Sequence, residues 1–202
     1  MSVETAGTAI ARKQVSRRKL LDAARELFVE RGYHDTRPQD IARAAGVGHG
    51  TFYLHFADKR ECFLAFVEEA SNEVDHYTKE WTKDAKDFGD LIRGTLRGCI
   101  AHSKDHPGVM RAAMVDASVI GGEARDLLDT HLNERWAAQW TSRLEAMRDQ
   151  GIARRDLDVR VMGFAVVGAC ALAFNAGQRQ GIPVETVIDN LAQFLVRAID
   201  PR

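Results

Sequence analysis

The chain has 202 residues, and its 28 basic and 29 acidic side chains give a formal net charge of -1. A hydrophobic share of 45% with 28% charged residues is typical of a globular protein, and it excludes a disordered, collagen-like or strongly charged chain. The three cysteines are isolated, so they predict neither a disulfide framework nor a cysteine-based zinc site: Cys62, Cys99 and Cys170.

The longest apolar run, residues 161–174, is shorter than the roughly 20 residues of a membrane span, and the N-terminus lacks the apolar core of a signal peptide. Together with the cysteine pattern, this predicts a soluble cytoplasmic protein with no membrane partner.

The charge is unevenly distributed along the chain. Residues 11–60 contain 11 basic and 6 acidic side chains, a net charge of +5, whereas residues 68–202 carry a net charge of -4. Such an asymmetry is typical of a nucleic-acid-binding part joined to a part with another role, although clustering on a solvated face gives the same pattern.

Helical spacing of apolar residues predicts the N-terminal elements. A first helix is expected to begin near Ser16 as its N-cap and to end at Gly32. Thr36 and Gln39 form a predicted capping box for a short second helix over residues 37–45, with Pro38 in its first turn.

A third helical segment is predicted over residues 49–56, after a turn in which Gly46 supplies a positive φ. Asp58 and Glu61 form a second predicted capping box, which opens a longer fourth helix through Tyr77.

The rest of the chain also follows a helical pattern. A fifth helix is expected to end before residues 106–107, a short sixth to cover 109–115, and a long seventh to end at Gly151. An eighth, over about 157–180, is apolar or small on nearly every side and is expected to be buried, and a ninth covers 184–199. The predicted fold class is all-α, with about nine helices and no strand.

Two short helices joined by a tight turn in the most basic part of the chain have the pattern of a helix-turn-helix, whose second helix enters a DNA major groove. Here the chain resembles the TetR family of bacterial transcriptional regulators. The resemblance rests on a combination of short motifs: Gly32-Tyr33-x-x-Thr36, Asp40-Ile41-Ala42, Ala45-Gly46-Val47, Gly50-Thr51-x-Tyr53, Phe56 and Lys59. Gly48 and Cys62 depart from the residues more common in the family.

The resemblance implies a DNA-binding domain at residues 1–60, including a basic N-terminal arm, and a ligand-binding and dimerisation domain at 61–202. It also implies DNA contacts by residues of three segments: Arg37, Gln39, His49, Gly50, Thr51, Tyr53, His55 and Lys59. Gln39 has the amide that pairs with adenine. Core packing is the alternative reading for Tyr53, and the stronger one for Phe52.

For the C-terminal domain, the family implies a small-molecule cavity and a homodimer through the last two helices. Candidate cavity residues are large or adaptable side chains on the fifth to eighth helices: Cys99, His102, Met110, Met114, Trp136, Trp140 and Phe164. Each of them is equally consistent with plain core packing. His102 and His106 lie four residues apart, but no further ligands accompany them, so neither a metal nor a cofactor is expected.

The resulting hypothesis is a ligand-responsive repressor that leaves a palindromic operator when an effector binds. An activator of the same fold is the alternative within this class. An all-helical enzyme is a second hypothesis, which linear motifs do not support, and a helical oligomerisation module without DNA binding is a third.

Overall fold

A computed structural model describes the backbone of residues 3–113 and 123–200 and the side chains of residues 11–113 and 133–200. Over these ranges the chain forms helices and no strand, which confirms the all-α prediction. The helices, in chain order, are α1 (Val3–Arg31), α2 (Pro38–Ala44), α3 (His49–Tyr53), α4 (Lys59–Thr82), α5 (Phe88–Asp105), α6 (described over 109–113), α7 (Glu123–Asp149), α8 (Val159–Arg179) and α9 (Val184–Ile199).

The predicted start of the first helix is wrong. Helix α1 begins at Val3, and Ser16 lies inside it, where its hydroxyl donates to the carbonyl oxygens of Arg12 and Lys13 at 3.0 Å each. A serine within a helix commonly bonds back to the preceding turn in this way, so a good N-cap residue did not mark a helix end.

The capping box at Thr36 is also wrong, whereas that at Asp58 is confirmed. The Thr36 hydroxyl is buried and donates to the Gly32 carbonyl at 2.8 Å, so α2 begins after Arg37 without a side-chain cap. At α4, the Glu61 amide donates to the Asp58 carboxylate at 2.8 Å, and the Glu61 carboxylate accepts from the Ala57 amide at 2.6 Å.

The chain forms two compact units. The first comprises the described residues of Met1–Asn72 and His106–Ala124. Its core is a cluster of buried phenylalanines in which Phe28 meets Phe63 edge to face at 5.0 Å, and Phe52 lies 5.5 Å from Phe56. Helix α3 has five residues and is too short to be stable alone, so the packing of Phe52 in this cluster stabilises it.

The second unit comprises the described residues of Glu73–Asp105 and Arg125–Arg202. Its core is formed by α5, α7, α8 and α9 around Ile92, Leu144, Val166, Ile188 and Leu195. Helix α4 contributes to both units. The functional boundary expected at residue 60 therefore differs from the packing division at residue 72, and it stays a prediction.

Helix α8 is not buried on every side within the chain, contrary to expectation. Val161, Phe164 and Leu172 are largely exposed, whereas Gly163 and Gly177 lie against α7 and α9. By length and composition, α8 also qualifies as a candidate membrane span, which the apolar run counted in the sequence did not. A helix of a soluble bundle passes the same test.

Candidate nucleic-acid interface

Helices α2 and α3 are joined by a tight turn built on glycine. Gly46 has a φ of +67°, as predicted, and the Val47 amide donates to the Ala42 carbonyl at 3.0 Å. Gly48 then takes an extended conformation as the N-cap of α3, with no side-chain cap. The helix-turn-helix pattern of the sequence is therefore present as two short helices, although α3 ends at Tyr53 and not at the predicted residue 56.

One face of α3 is exposed and polar. His49, Gly50 and Tyr53 lie on it, and a Cβ built at Gly50 meets nothing within 4 Å. The His49 ring lies edge to face with Tyr53 at 5.2 Å, which orients both rings. Small and polar residues at this position allow the backbone to approach a DNA groove closely.

The opposite face of α3 holds it to the first unit. Phe52 is fully buried, which confirms the core reading for that residue, and Tyr53 is 50% exposed, which does not fit core packing. Thr51 is half-buried between the two faces.

Arg37 and Gln39, at the N-terminus of α2, are both exposed. Arg37 is the N-cap residue, and its side chain makes no capping bond. Because neither side chain is buried, both are accessible for the DNA contacts predicted from the sequence.

Lys59 lies in a different setting from these exposed residues. Its ammonium donates to the Tyr33 carbonyl at 2.8 Å and lies 4.2 Å from the centre of the Tyr33 ring. Burial lowers the pKa of Lys59, and attraction by Asp35 partly opposes that effect. Lys59 therefore joins the start of α4 to the turn that follows α1, and its contact with a phosphate stays a prediction.

His55 is also turned towards the fold. Its Nε2 atom lies 2.8 Å from the Ser16 hydroxyl of α1, and burial lowers its pKa, helped by the charges of Lys13 and Arg17. The phosphate contact predicted for His55 remains untested, but its hydrogen bond to Ser16 gives it a positioning role.

The basic arm is part of α1. Arg12, Lys13, Arg17 and Lys19 are exposed on it, and Arg17 lies over the Phe56 ring at 5.0 Å. Arg18 differs, because it pairs with Asp22 and Glu69. Four cations of the arm thus remain near solvent, which suits the phosphate contacts expected of this segment.

Leu54 was not singled out from the sequence. It follows α3 as its C-cap and is 72% exposed beside Tyr53. An apolar side chain at this position can contact the methyl group of thymine. Its position directly after Tyr53 could have indicated a DNA-contacting residue, but an apolar residue in this segment is more readily interpreted as part of the core.

The predicted effector residues fall into both units. Met110 belongs to the first, and Met114 lies outside the described residues. The other five belong to the second unit: Cys99, His102, Trp136, Trp140 and Phe164.

Their environments differ within that unit. Trp140 is buried and meets Phe88 edge to face at 5.8 Å, and Cys99 and Trp136 are half-buried. His102 is fully buried, with its Nε2 atom 3.2 Å from the Glu73 carboxylate. Phe164 is 49% exposed on the outer face of α8. A cavity lined by these residues stays a prediction.

Comparison with known proteins supports the reading of this interface. A family model described as bacterial regulatory proteins, tetR family, matches residues 20–66. The HTH-type transcriptional regulator EthR of Mycobacterium tuberculosis is 26% identical over 185 residues, covering 89% of this chain and 85% of EthR. The HTH-type transcriptional repressor KstR2 of Rhodococcus jostii is 29% identical over 167 residues, with 74% and 73% covered.

The fold is shared with solved structures as well. The transcriptional regulator FadR of Bacillus subtilis, solved in complex with stearoyl-CoA, aligns with a TM-score of 0.74 at 20% identity, covering 90% of this chain and 98% of FadR. The comparisons agree: residues 20–66 match the tetR family of bacterial regulatory proteins, and the chain as a whole is similar in sequence and fold to helix-turn-helix transcriptional regulators.

Proposed function

We propose that this regulator is a cytoplasmic repressor that binds a palindromic operator as a homodimer and releases it when a small molecule binds the second unit. The observation that carries the proposal is the exposed face of α3, where His49 and Tyr53 stand clear of the core in a segment of net charge +5. Regulation, and not catalysis, is the role that this surface supports.

The exposed apolar side chains of the last two helices support the dimer. Val161, Phe164 and Leu172 on α8 and Phe194 on α9 are each about half exposed or more. Val161, Phe164 and Leu172 share one face of α8 by their spacing, and an exposed apolar face of this kind marks an interaction site in soluble proteins. A two-fold axis at α8 and α9 would repeat α3 for two half-sites roughly 34 Å apart, one turn of DNA.

Relatives support the regulatory direction and the effector. KstR2 is named a repressor, and FadR was solved with a long-chain acyl-CoA. By analogy, effector binding to the second unit favours a conformation of the dimer whose α3 helices no longer match the groove spacing.

Fluorescence anisotropy with labelled DNA from upstream of the gene tests this function. We expect a clear preference over scrambled duplex and an affinity that falls with salt, with a slope of about -0.9 per phosphate contacted. Tyr53→Ala should weaken operator binding about tenfold or more. Trp81→Ala is the matched control, because Trp81 is also 50% exposed but lies in the second unit.

The same DNA distinguishes repression from activation. In a purified transcription assay, the protein should lower the amount of transcript from its own upstream promoter. Equal affinity for upstream and scrambled duplex at moderate salt would overturn the proposal, and a rise in transcript would assign an activator.

A further inference from the structure

A polar cluster joins α4 and α7 in the second unit. Asp75 of α4 is nearly buried, and its carboxylate accepts from the Arg135 guanidinium at 2.5 Å and from the Gln139 amide at 3.4 Å. Both donors lie on one stripe of α7. In the described contacts, Asp75 is the charged residue by which α4 contacts this stripe, and its carboxylate is already paired with Arg135.

Arg143 lies on the same stripe, one turn beyond Gln139. Its guanidinium carbon is 4.9 Å from the centre of the Trp140 ring, and Trp140 is itself fixed by Phe88. Burial lowers the pKa of Arg143, and the charge of Asp75 only partly opposes this. Within the described part of the chain, no carboxylate lies within ion-pair distance of Arg143.

Arg143 is the cation of this cluster that lacks an ion pair in the described part of the chain. The Asp75 carboxylate near it is already paired with Arg135. A partly desolvated cation is unfavourable unless an anion accompanies it, and a guanidinium matches carboxylate and phosphate oxygens geometrically. The site therefore suits one additional anionic group.

The surroundings of the cluster are apolar. Cys99 of α5 is close enough to Asp75 to interact with it electrostatically, and Cys170 of α8 is close enough to Cys99; Cys170 also packs against the apolar core of the second unit. Burial raises the pKa of the two thiols to about 11 and about 12, which keeps both neutral. Each nevertheless retains accessible surface, as does Trp136. An apolar chain attached to the anion can lie against these side chains.

We propose that Arg143, held against Trp140, binds the carboxylate or phosphate of an amphipathic effector whose apolar body lies against Cys99 and Cys170. This inference rests on the proposed function, because it names the chemical class of the effector. It concerns the head group alone, so it can fail while ligand-responsive repression stands.

Binding of simple amphiphiles to the full-length protein tests the inference. Decanoate, decyl phosphate and 1-decanol share one apolar chain and differ in head group, and tryptophan fluorescence follows their binding because Arg143 lies over Trp140. We expect one of the two anions to bind about ten- to a hundredfold more tightly than the alcohol. The tighter anion distinguishes a carboxylate from a phosphate ligand.

Substitution of Arg143 then assigns the preference to this residue. Arg143→Gln should abolish the preference for the anion and leave the affinity for 1-decanol and for DNA unchanged. Arg143→Lys should retain part of the preference, because the charge remains but the planar fork is lost. Arg155→Gln is the matched control, since Arg155 is exposed in the same unit.

The outcomes separate the two levels of the proposal. Equal binding of anions and alcohol, binding of none of the three, or an unchanged preference in a folded Arg143→Gln protein would each overturn the role of Arg143. If the wild-type protein does not bind its operator specifically in the absence of any amphiphile, the proposed function itself would be overturned.

Discussion

His55 links α1, which carries the basic arm, to the helix-turn-helix. It follows α3, and its ring accepts or donates a hydrogen bond to Ser16 of α1 at 2.8 Å, beside the cations Lys13 and Arg17. Protonation of the ring would place a third positive charge there. The neutral form is therefore the one that the folded protein favours.

This preference predicts a pH dependence of stability. Burial lowers the pKa of His55 in the folded protein below the ordinary value of 6.5, so the unfolded chain takes up the proton first as the pH falls. The contribution of His55 to stability should be constant above about pH 7.5 and should decrease as the pH falls through about 6.5. Urea unfolding at several pH values measures it.

His55→Gln can still form a hydrogen bond with Ser16, but its free energy of unfolding should decrease less than that of the wild type as the pH falls through about 6.5. His76→Gln is the control, because His76 is exposed on α4 and should leave the pH profile of the wild type unchanged. Identical profiles for wild type and His55→Gln would show that the ring titrates equally in both states.

At the scale of elements, the close crossing of α7 and α8 depends on one glycine. A Cβ at Gly163 would lie 2.5 Å from both the Ala137 carbonyl oxygen and the Thr141 hydroxyl. The Ala137 carbonyl belongs to the backbone and cannot rotate away as a side chain can, so any larger residue at position 163 would push α7 and α8 apart. Gly168 of the same helix has open space around its Cα.

Gly163→Ala should therefore destabilise the protein by about 1–3 kcal/mol through overpacking, measured by urea denaturation. Gly168→Ala adds a methyl group that meets no atom of its own chain, so it should be neutral or stabilising by up to about 1 kcal/mol in the Leu172→Asp protein, where the proposed dimer contact is removed. In that background, a Gly163→Ala protein as stable as Gly168→Ala would mean that α7 and α8 are not in such close contact.

At the scale of the whole molecule, the net charge of -1 is the sum of two different parts. The +5 of residues 11–60 belongs to the DNA-binding segment, and the -4 of residues 68–202 to the remaining helices. Phosphates attract the first and repel the second, so the charge distribution favours DNA contact by residues 11–60 over contact by the remaining helices. The exposed apolar side chains of α8 and α9 are the proposed contact with a partner protomer.

Leu172→Asp should convert the dimer to a monomer, because Leu172 is 72% exposed on α8 and a carboxylate there would be buried against the partner. Light scattering after size exclusion measures the mass, and operator affinity should fall with it. Ile152→Asp is the control, since Ile152 is 50% exposed but lies between α7 and α8. A Leu172→Asp protein that remains dimeric would place the interface elsewhere.

Elements with strong local signals were predicted closely from the sequence. Helix α9 covers the predicted 184–199, and the capping box at Asp58 lies where expected. Predictions failed where a residue had two local uses: Ser16 and Thr36 are good capping residues, yet both bond to the carbonyl of residue i−4 instead. Packing determines which use a hydroxyl takes.

The sequence by itself determined the helices, the helix-turn-helix and the division of charge, because these depend on the spacing and identity of residues near one another in the chain. Only the tertiary structure decided which polar side chains the fold already uses. Lys59 bonds to Tyr33, His55 to Ser16 and Arg135 to Asp75, whereas Arg143 lies over Trp140 and has no ion pair within the residues that the structure describes. Pairings between residues far apart in the chain leave no periodic signal, so they emerge only when helices pack together.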